Sequence, residues 1–240
     1  MKKGIWGLLA ALPLLVAAEP VTNVTWESSV QVAASYKSGN TDQTLFTGDW
    51  KAKRTAPLTE WLNLAHGEYG KTEGNQTEGQ ALLQSIYRYN FGTERWYAGL
   101  FGELLHDGIK DINFRATLGP NVGYYFIKND TMKLDSNIGI NAVYEARPNE
   151  VEETYAAWRW ALNYEWQINE PVSYYFHVDY GTDVKDLNNG TGLLFTGLKN
   201  KMSEKLAMYI EFRDEYRSSQ NDDSECNDIT VLAGLSYDIL

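Results

Sequence analysis

The chain has 240 residues, 43% hydrophobic and 13% aromatic, and 21 Lys+Arg against 32 Asp+Glu give it a formal net charge of −11. This acidic balance excludes a nucleic-acid partner, which would need a basic patch against phosphate, and the single cysteine, Cys226, excludes an internal disulfide. No segment beyond the N-terminus offers the roughly 18–20 consecutive apolar residues of a spanning helix.

In chain order, the first predicted element is a signal peptide over residues 1–18. Lys2 and Lys3 precede a short apolar run from Ile5 to Val16, and Val16-Ala17-Ala18 supplies the small residues of a cleavage site. Cleavage leaves one domain, residues 19–240, with a net charge of about −13, because the removed segment carries two lysines and no acid. No linker or low-complexity stretch divides it.

The remainder alternates with period two, the signature of strands with one apolar and one polar face. The first strand, Val24 to Lys37, sets Trp26, Val30, Val32 and Ala34 against Glu27, Ser29 and Gln31, before a Ser38-Gly39-Asn40-Thr41 turn. The second sets Phe46, Trp50 and Ala52 against Asp49, Lys51 and Lys53. The third, Thr59 to Tyr69, leaves two choices of apolar face, Trp61/Ala65/Tyr69 or Leu62/Leu64. The fourth, Glu78 to Phe91, opposes Ala81, Leu83, Tyr87 and Tyr89 to Gln80, Gln84, Arg88 and Asn90. In the fifth, Trp96, Ala98, Leu100 and Leu104 oppose Arg95 and Glu103, although Tyr97 and Phe101 fall on the polar side.

The sixth strand, Ile112 to Tyr125, is the cleanest: Ile112, Phe114, Ala116, Leu118, Val122 and Tyr124 against Asn113, Arg115, Thr117, Gly119, Asn121 and Gly123. The seventh places Ile138, Ile140 and Tyr144 opposite Asp135, Asn137 and Glu145. The eighth places Trp158, Trp160, Leu162 and Trp166 opposite Arg159, Asn163 and Glu165. The ninth carries Tyr174, Phe176 and Val178, with His177 and Asp179 on its polar face. The tenth, Gly190 to Leu198, is ambiguous. The eleventh opposes Met208, Ile210 and Phe212 to Glu211, Arg213 and Glu215, and the twelfth opposes Ile229, Val231, Leu235 and Tyr237 to Thr230, Ser236 and Asp238.

The predicted connections alternate in length. Those after even-numbered strands are compact, whereas most after odd-numbered strands are longer and acidic: Lys71–Gln76, His106–Asp111, Ala146–Glu153, Thr182–Asn189 and Ser218–Asn227. Outer-membrane barrels have short periplasmic turns and longer outer loops. Twelve hairpin-linked strands also enclose too wide a space for one apolar layer to fill. Aromatics such as Trp26, Tyr89, Trp96, Tyr124, Trp158 and Tyr237 gather near strand ends, as interfacial girdles require. The expected fold is therefore all-β: a transmembrane antiparallel up-and-down β-barrel of about 12 strands, apolar face outward, following the signal peptide. A soluble periplasmic β-protein that binds apolar ligands is the inverse arrangement of the same pattern.

Several short motifs recur in an order that resembles a known family. They are Gly39-Asn40-Thr41, Arg54, Tyr69, Arg88-Tyr89, Arg95-Trp96-Tyr97, Asp107, Arg115, the Gly119–Gly123 pair and Gly234-Leu235-Ser236-Tyr237. Together they resemble the salt-induced outer-membrane protein family, the YdiY-like domain of unknown function of Gram-negative bacteria. The resemblance spans nearly the whole mature chain. It implies a cell outer-membrane location, contact with outer-membrane lipid, insertion by the barrel-assembly machinery and a link to osmotic stress. It implies no agreed substrate, no catalytic residue and no cofactor. One departure is that Ile239, followed by Leu240, stands where such barrels usually end in an aromatic.

The polar face supplies the candidate functional residues. Lys51, Arg88, Arg95, Arg115, Arg159 and Arg213 interleave with Glu103, Asp135, Glu165 and Glu211, and His177 lies among them. Such charge rings set selectivity in pores, and a salt-bridge network that plugs a barrel uses the same residues. The expected function is thus a narrow passive pore for small solutes or a structural envelope barrel, with no enzymatic activity. The hydrolase alternative rests on two weak clusters. Ser173 and His177 lie four residues apart on one strand, about 13 Å at about 3.3 Å per residue, beyond contact. His106-Asp107 sits at the end of the fifth strand. The acidic run Asp222, Asp223, Glu225 and Asp228 fits no calcium-loop spacing, and the three histidines lack transition-metal spacing, so no metal site is expected.

Overall fold

The computed structural model describes residues 23–37, 43–72, 75–92, 95–108, 112–149, 151–188, 190–218 and 227–240. The predicted signal peptide, the Gly39-Asn40-Thr41 turn and the acids Asp222, Asp223 and Glu225 with Cys226 lie outside these residues.

Twelve antiparallel strands follow one another around a closed barrel. They are β1 (Thr25–Lys37), β2 (Gln43–Thr55), β3 (Thr59–Thr72), β4 (Asn75–Asn90), β5 (Trp96–Asp107) and β6 (Ile112–Lys128), then β7 (Met132–Ala146), β8 (Glu153–Gln167), β9 (Val172–Asp183), β10 (Gly190–Lys201), β11 (Leu206–Arg217) and β12 (Asn227–Asp238). Every consecutive pair is hydrogen-bonded, and β1 returns to β12 through the register from Ser29↔Asp238 to Ala34↔Ala233. Closure matters because an open sheet edge in hydrocarbon would strand its N–H and C=O groups without partners.

The two faces have the polarity of a transmembrane barrel. On the outside, Val32, Leu83 and Ile138 are 60%, 54% and 51% exposed, while inside Asp135 is 1% and Arg88 5% exposed. Water would reject this arrangement, which buries charge and exposes aliphatic side chains; a bilayer favours it. The outer face also satisfies its few polar atoms internally. The indole N–H groups of Trp50, Trp61 and Trp160 donate to Ser28, Ser85 and Ser136 on neighbouring strands at 3.1, 2.8 and 2.9 Å, as a polar atom in lipid must.

One end of the barrel carries the start of β1, the end of β12 and five tight turns, and is here called the turn end. Its turns are closed by side chains that accept backbone N–H groups: Asn129 Oδ1 from Met132 at 2.7 Å, Asn169 Oδ1 from Val172 at 3.0 Å and Ser203 Oγ from Leu206 at 3.1 Å. Gly92 takes a positive φ of 62° in the β4–β5 turn, a conformation that suits glycine. Aromatics girdle this end, with Trp96, Tyr124 and Phe126 stacked edge-on in series at 4.9 and 5.3 Å.

The structure resolves the two ambiguous strands and corrects two expectations. In β3, Leu64 pairs with Lys51 and His66 with Asp49, so Leu62 and Leu64 face inward and Trp61, Ala65 and Tyr69 face lipid. In β10, Leu193 and Phe195 point inward beside Asp179 and His177. The connection expected at Lys71–Gln76 is instead a hairpin, since β3 reaches Thr72 and β4 begins at Asn75, with a register shift after Gly70. Ile112, expected on the lipid face, is fully buried. The β5–β6 register shifts between Leu105 and Asp107, pairing Ile112 with the inward Asp107. A β-bulge of this kind turns the residue to the opposite face.

This architecture predicts that the protein migrates differently on a detergent gel before and after boiling, because a closed barrel resists unfolding in cold detergent. Leu118→Arg, at mid-strand on the lipid face of β6, should lower unfolding stability in lipid vesicles by about 2–4 kcal/mol. An unchanged denaturant midpoint would contradict the assigned face.

Candidate functional site

The inner face is built on a repeated device. Tyr97 on β5 stands directly opposite Gly123 on β6. A Cβ on that glycine would fall 2.1 Å from the tyrosine Cζ, so only glycine lets the ring lie flat across β6. The ring thereby reaches β7, where its hydroxyl donates to Asp135 Oδ2 at 2.7 Å. Four strands on, Tyr175 of β9 lies across Gly197 of β10 and donates to Glu211 Oε2 of β11 at 2.9 Å. Tyr209 of β11 lies across Gly234 of β12 and packs among Ala33, Leu45 and Leu232 behind the closing seam. Aromatic rings laid over cross-strand glycines thus fill a lumen too wide for single-layer packing.

Charged side chains close around these rings in the half of the lumen nearest the turn end. Asp135 accepts from Asn163 Nδ2 at 3.0 Å and faces Arg88 Nη2 at 3.5 Å, while the Arg88 guanidinium lies 4.9 Å from the Tyr97 ring centroid. Lys133 of β7 reaches across the barrel to Glu60 of β3 at 3.2 Å. Tyr125 packs on Tyr97 at 5.0 Å, with Lys128 and Lys133 over its ring at 4.4 and 5.2 Å. Tyr97 and Tyr125 are both 0% exposed, fully packed among these side chains.

A second network spans the seam. Arg213 donates to Glu211 at 2.8 Å and approaches Glu68 at 3.6 Å and His66 Nε2 at 3.5 Å. The other ring nitrogen of His66 lies 2.7 Å from Asp49 Oδ1. Lys51 sits beside it, interacting electrostatically with Asp49 and Glu211.

The other half of the lumen holds a cavity of about 400 Å³ that extends to the strand ends at Arg147, Asp183 and Arg217. At its floor, Arg159 lies over the Phe101 ring at 3.8 Å, donates to Asn137 at 3.3 Å and is ion-paired with Asp179. His177 contacts Asn163 Oδ1 at 2.6 Å and stacks on Phe195 at 4.6 Å. Glu103 accepts from Gln84 at 3.2 Å. Higher on the wall, Glu145 bridges Arg115 at 2.6 Å and Arg147 at 2.5 Å.

Of the residues expected to line the lumen, Lys51, Arg88, Glu103, Arg115, Asp135, Arg159, His177, Glu211 and Arg213 are thus gathered on the inner face. Two lie at the turn end, outside these networks. Arg95 precedes β5, is exposed at the turn end and donates to the Phe126 carbonyl at 3.0 Å; the alternation was extended one residue too far into the turn. Glu165 pairs with Lys133 across β7–β8 but is exposed at the turn-end mouth, outside the network. The sequence reading missed the lumenal tyrosines. Their signal was aromatics on the polar parity, as with Tyr97 and Phe101, but their glycine partners are visible only once strands are aligned.

The hydrolase clusters do not assemble. His106 is exposed, with Nδ1 2.9 Å from the Asn113 carbonyl, while Asp107 is buried inside and meets Gln80 at 3.4 Å. Adjacent strand residues point to opposite faces, so this pair cannot converge. His177 engages Asn163 and stands opposite Phe195, with Ser173 down-strand opposite Lys199.

The ring-over-glycine packing makes a specific prediction. Gly123→Ala should destabilise the barrel by about 1–3 kcal/mol, the usual cost of overpacking. Gly67→Ala on the lipid face, where an added Cβ meets nothing within 4 Å, should stay within about 0.5 kcal/mol of the parent. Urea unfolding of both variants in vesicles measures the difference, and equal midpoints would refute the packing.

Three comparisons place the molecule among known proteins. Its backbone is similar to a NanC porin structure at a TM-score of 0.57 and 10% identity, covering 88% of this chain and 98% of that one. It also aligns with the outer membrane channel DcaP of Acinetobacter baumannii at 0.48 and 10%, covering 90% and 97%, and with the KdgM porin at 0.47 and 8%, covering 89% and 98%. At such identities, the NanC likeness shows a common barrel fold. No curated protein sequence matches the chain. Residues 30–239 match the family model described as a protein of unknown function, DUF481, and the chain belongs to that family.

Proposed function

We propose that this protein is a narrow passive pore of the Gram-negative outer membrane, with the turn end in the periplasm and the cavity opening outward. Export by the residue 1–18 signal peptide and insertion by the barrel-assembly machinery complete this reading, leaving residues 19–240 as one barrel domain. The observation that carries it is the construction of the lumen: a cavity of about 400 Å³, lined by charged and apolar side chains and separated from the other mouth only by side chains. No helix or backbone segment among the described residues crosses the interior. In this reading Lys51, Arg88, Asp135, Glu211 and Arg213 set the constriction, and Glu103, Arg115, Arg159 and His177 line the vestibule. Arg95 and Glu165 belong to the periplasmic rim.

The full burial of Tyr97, Tyr125 and Asp135 favours one second reading, a permanently plugged structural barrel. The resemblance to the salt-induced family adds a role in osmotic stress, which a rise in protein level after a salt shift would support and a constant level would not.

Planar-bilayer recording separates the pore from the plug. The wild-type barrel should give small discrete steps. Tyr97→Ala/Tyr125→Ala should raise the unit conductance several-fold. Silence from both proteins, with heat-modifiable migration intact, would establish the structural reading.

A further inference from the structure

We propose that the vestibule selects small organic cations, solutes that carry an ammonium or guanidinium group on an apolar body; this rests on the pore reading for transport but not for binding. The first observation is where the charge sits. In the turn-end half, acids and bases are matched, Glu60 with Lys133 and Asp135 with Arg88 across the lumen and Glu211 with Arg213 along β11. The described lining of the vestibule instead holds eight carboxylates against four guanidinium groups, a net of four negative charges.

The second observation is which groups are already engaged. Arg159 is held by Asp179 and Phe101, and Arg115 and Arg147 share Glu145. Arg217 has no ion pair among the described residues and faces the charges of Arg115 and Arg147 as well as those of Asp107 and Glu145. Glu103, Glu153, Asp183 and Asp228 also have no ion pair among the described residues. An entering anion would meet three ion-paired arginines and one unpaired one, whereas an entering cation would meet four carboxylates without an ion pair. A concave site with low-dielectric walls concentrates that field and raises the local concentration of cations.

The third observation gives the solute its apolar part. Leu64, Leu82, Leu105, Leu193, Phe101 and Phe195 line the same cavity, walls that a hydrated inorganic ion does not need. The site already displays its own mode of recognition, because the Arg159 guanidinium rests on an aromatic face with a carboxylate at its edge. The cavity, at about 400 Å³, lies within the range of small-molecule sites.

Two measurements test this on the full barrel in detergent or bilayer, with Glu103→Gln/Asp183→Asn as the variant and heat-modifiable migration as its folding check. In an asymmetric potassium chloride gradient, the wild-type current should reverse on the potassium side, and the variant should move toward no preference. A chloride-selective or unselective wild-type current overturns the proposal while leaving the pore intact. Calorimetric titration with tetramethylammonium chloride decides the case if the bilayer is silent, an outcome that by itself would refute only the pore. Saturable binding that is about tenfold weaker in the variant supports the proposal. No binding, unchanged binding in the variant, or equal heats from sodium acetate overturns it.

Discussion

The structure depends on one constraint: a backbone amide in hydrocarbon has no water to bond and must find its partner within the protein. Twelve strands meet it only by returning β1 to β12, and that seam, from Ser29↔Asp238 to Ala34↔Ala233, joins residues some two hundred positions apart in sequence. The amide of Ile239 extends it by donating to the Ser28 carbonyl at 2.7 Å. The same rule governs side chains on the outer wall, where each of three lipid-facing tryptophans finds a serine hydroxyl one strand away.

Closure at twelve strands creates a second problem, because the enclosed space exceeds what one layer of side chains can fill. The chain solves it with long side chains laid sideways over glycines. Tyr97 over Gly123 and Tyr175 over Gly197 each deliver a hydroxyl to a carboxylate two strands away. Those carboxylates anchor arginines in turn, so packing and charge pairing form one lattice. Arg88, Asp135 and Glu60 can be buried in a membrane protein because each is met by an opposite charge or a donor.

The tyrosine lattice is confined to one half of the lumen, so the two halves of the interior are built differently. Where cross-strand tyrosines stop, the interior opens into a cavity with apolar patches on β3, β4, β5 and β10 and charged ones on β6 to β9. The barrel fold is common to proteins of very different sequence, so activity has to be argued from this interior rather than from the fold.

Much of this was legible in the sequence. Period-two alternation located all twelve strands, because a side chain's face follows from its own position in the pleat. The alternation in connection length likewise separated the turn end from the loop end, the Lys71–Gln76 hairpin excepted. Alternation failed where both faces were apolar. Leu62 and Leu64 compete with Trp61 and Ala65 in β3, and Leu193 and Phe195 with Leu194 in β10, since those strands line an apolar part of the cavity. It failed again where register changed, at Ile112 beside the β5–β6 bulge, and where a strand began, at Arg95. Outside those places, the sequence by itself determined which residues meet lipid and which face inward. Only the tertiary structure decided what the inward residues do, because whether Tyr97 meets Gly123, or Lys133 reaches Glu60, depends on the alignment of separate strands around a closed ring.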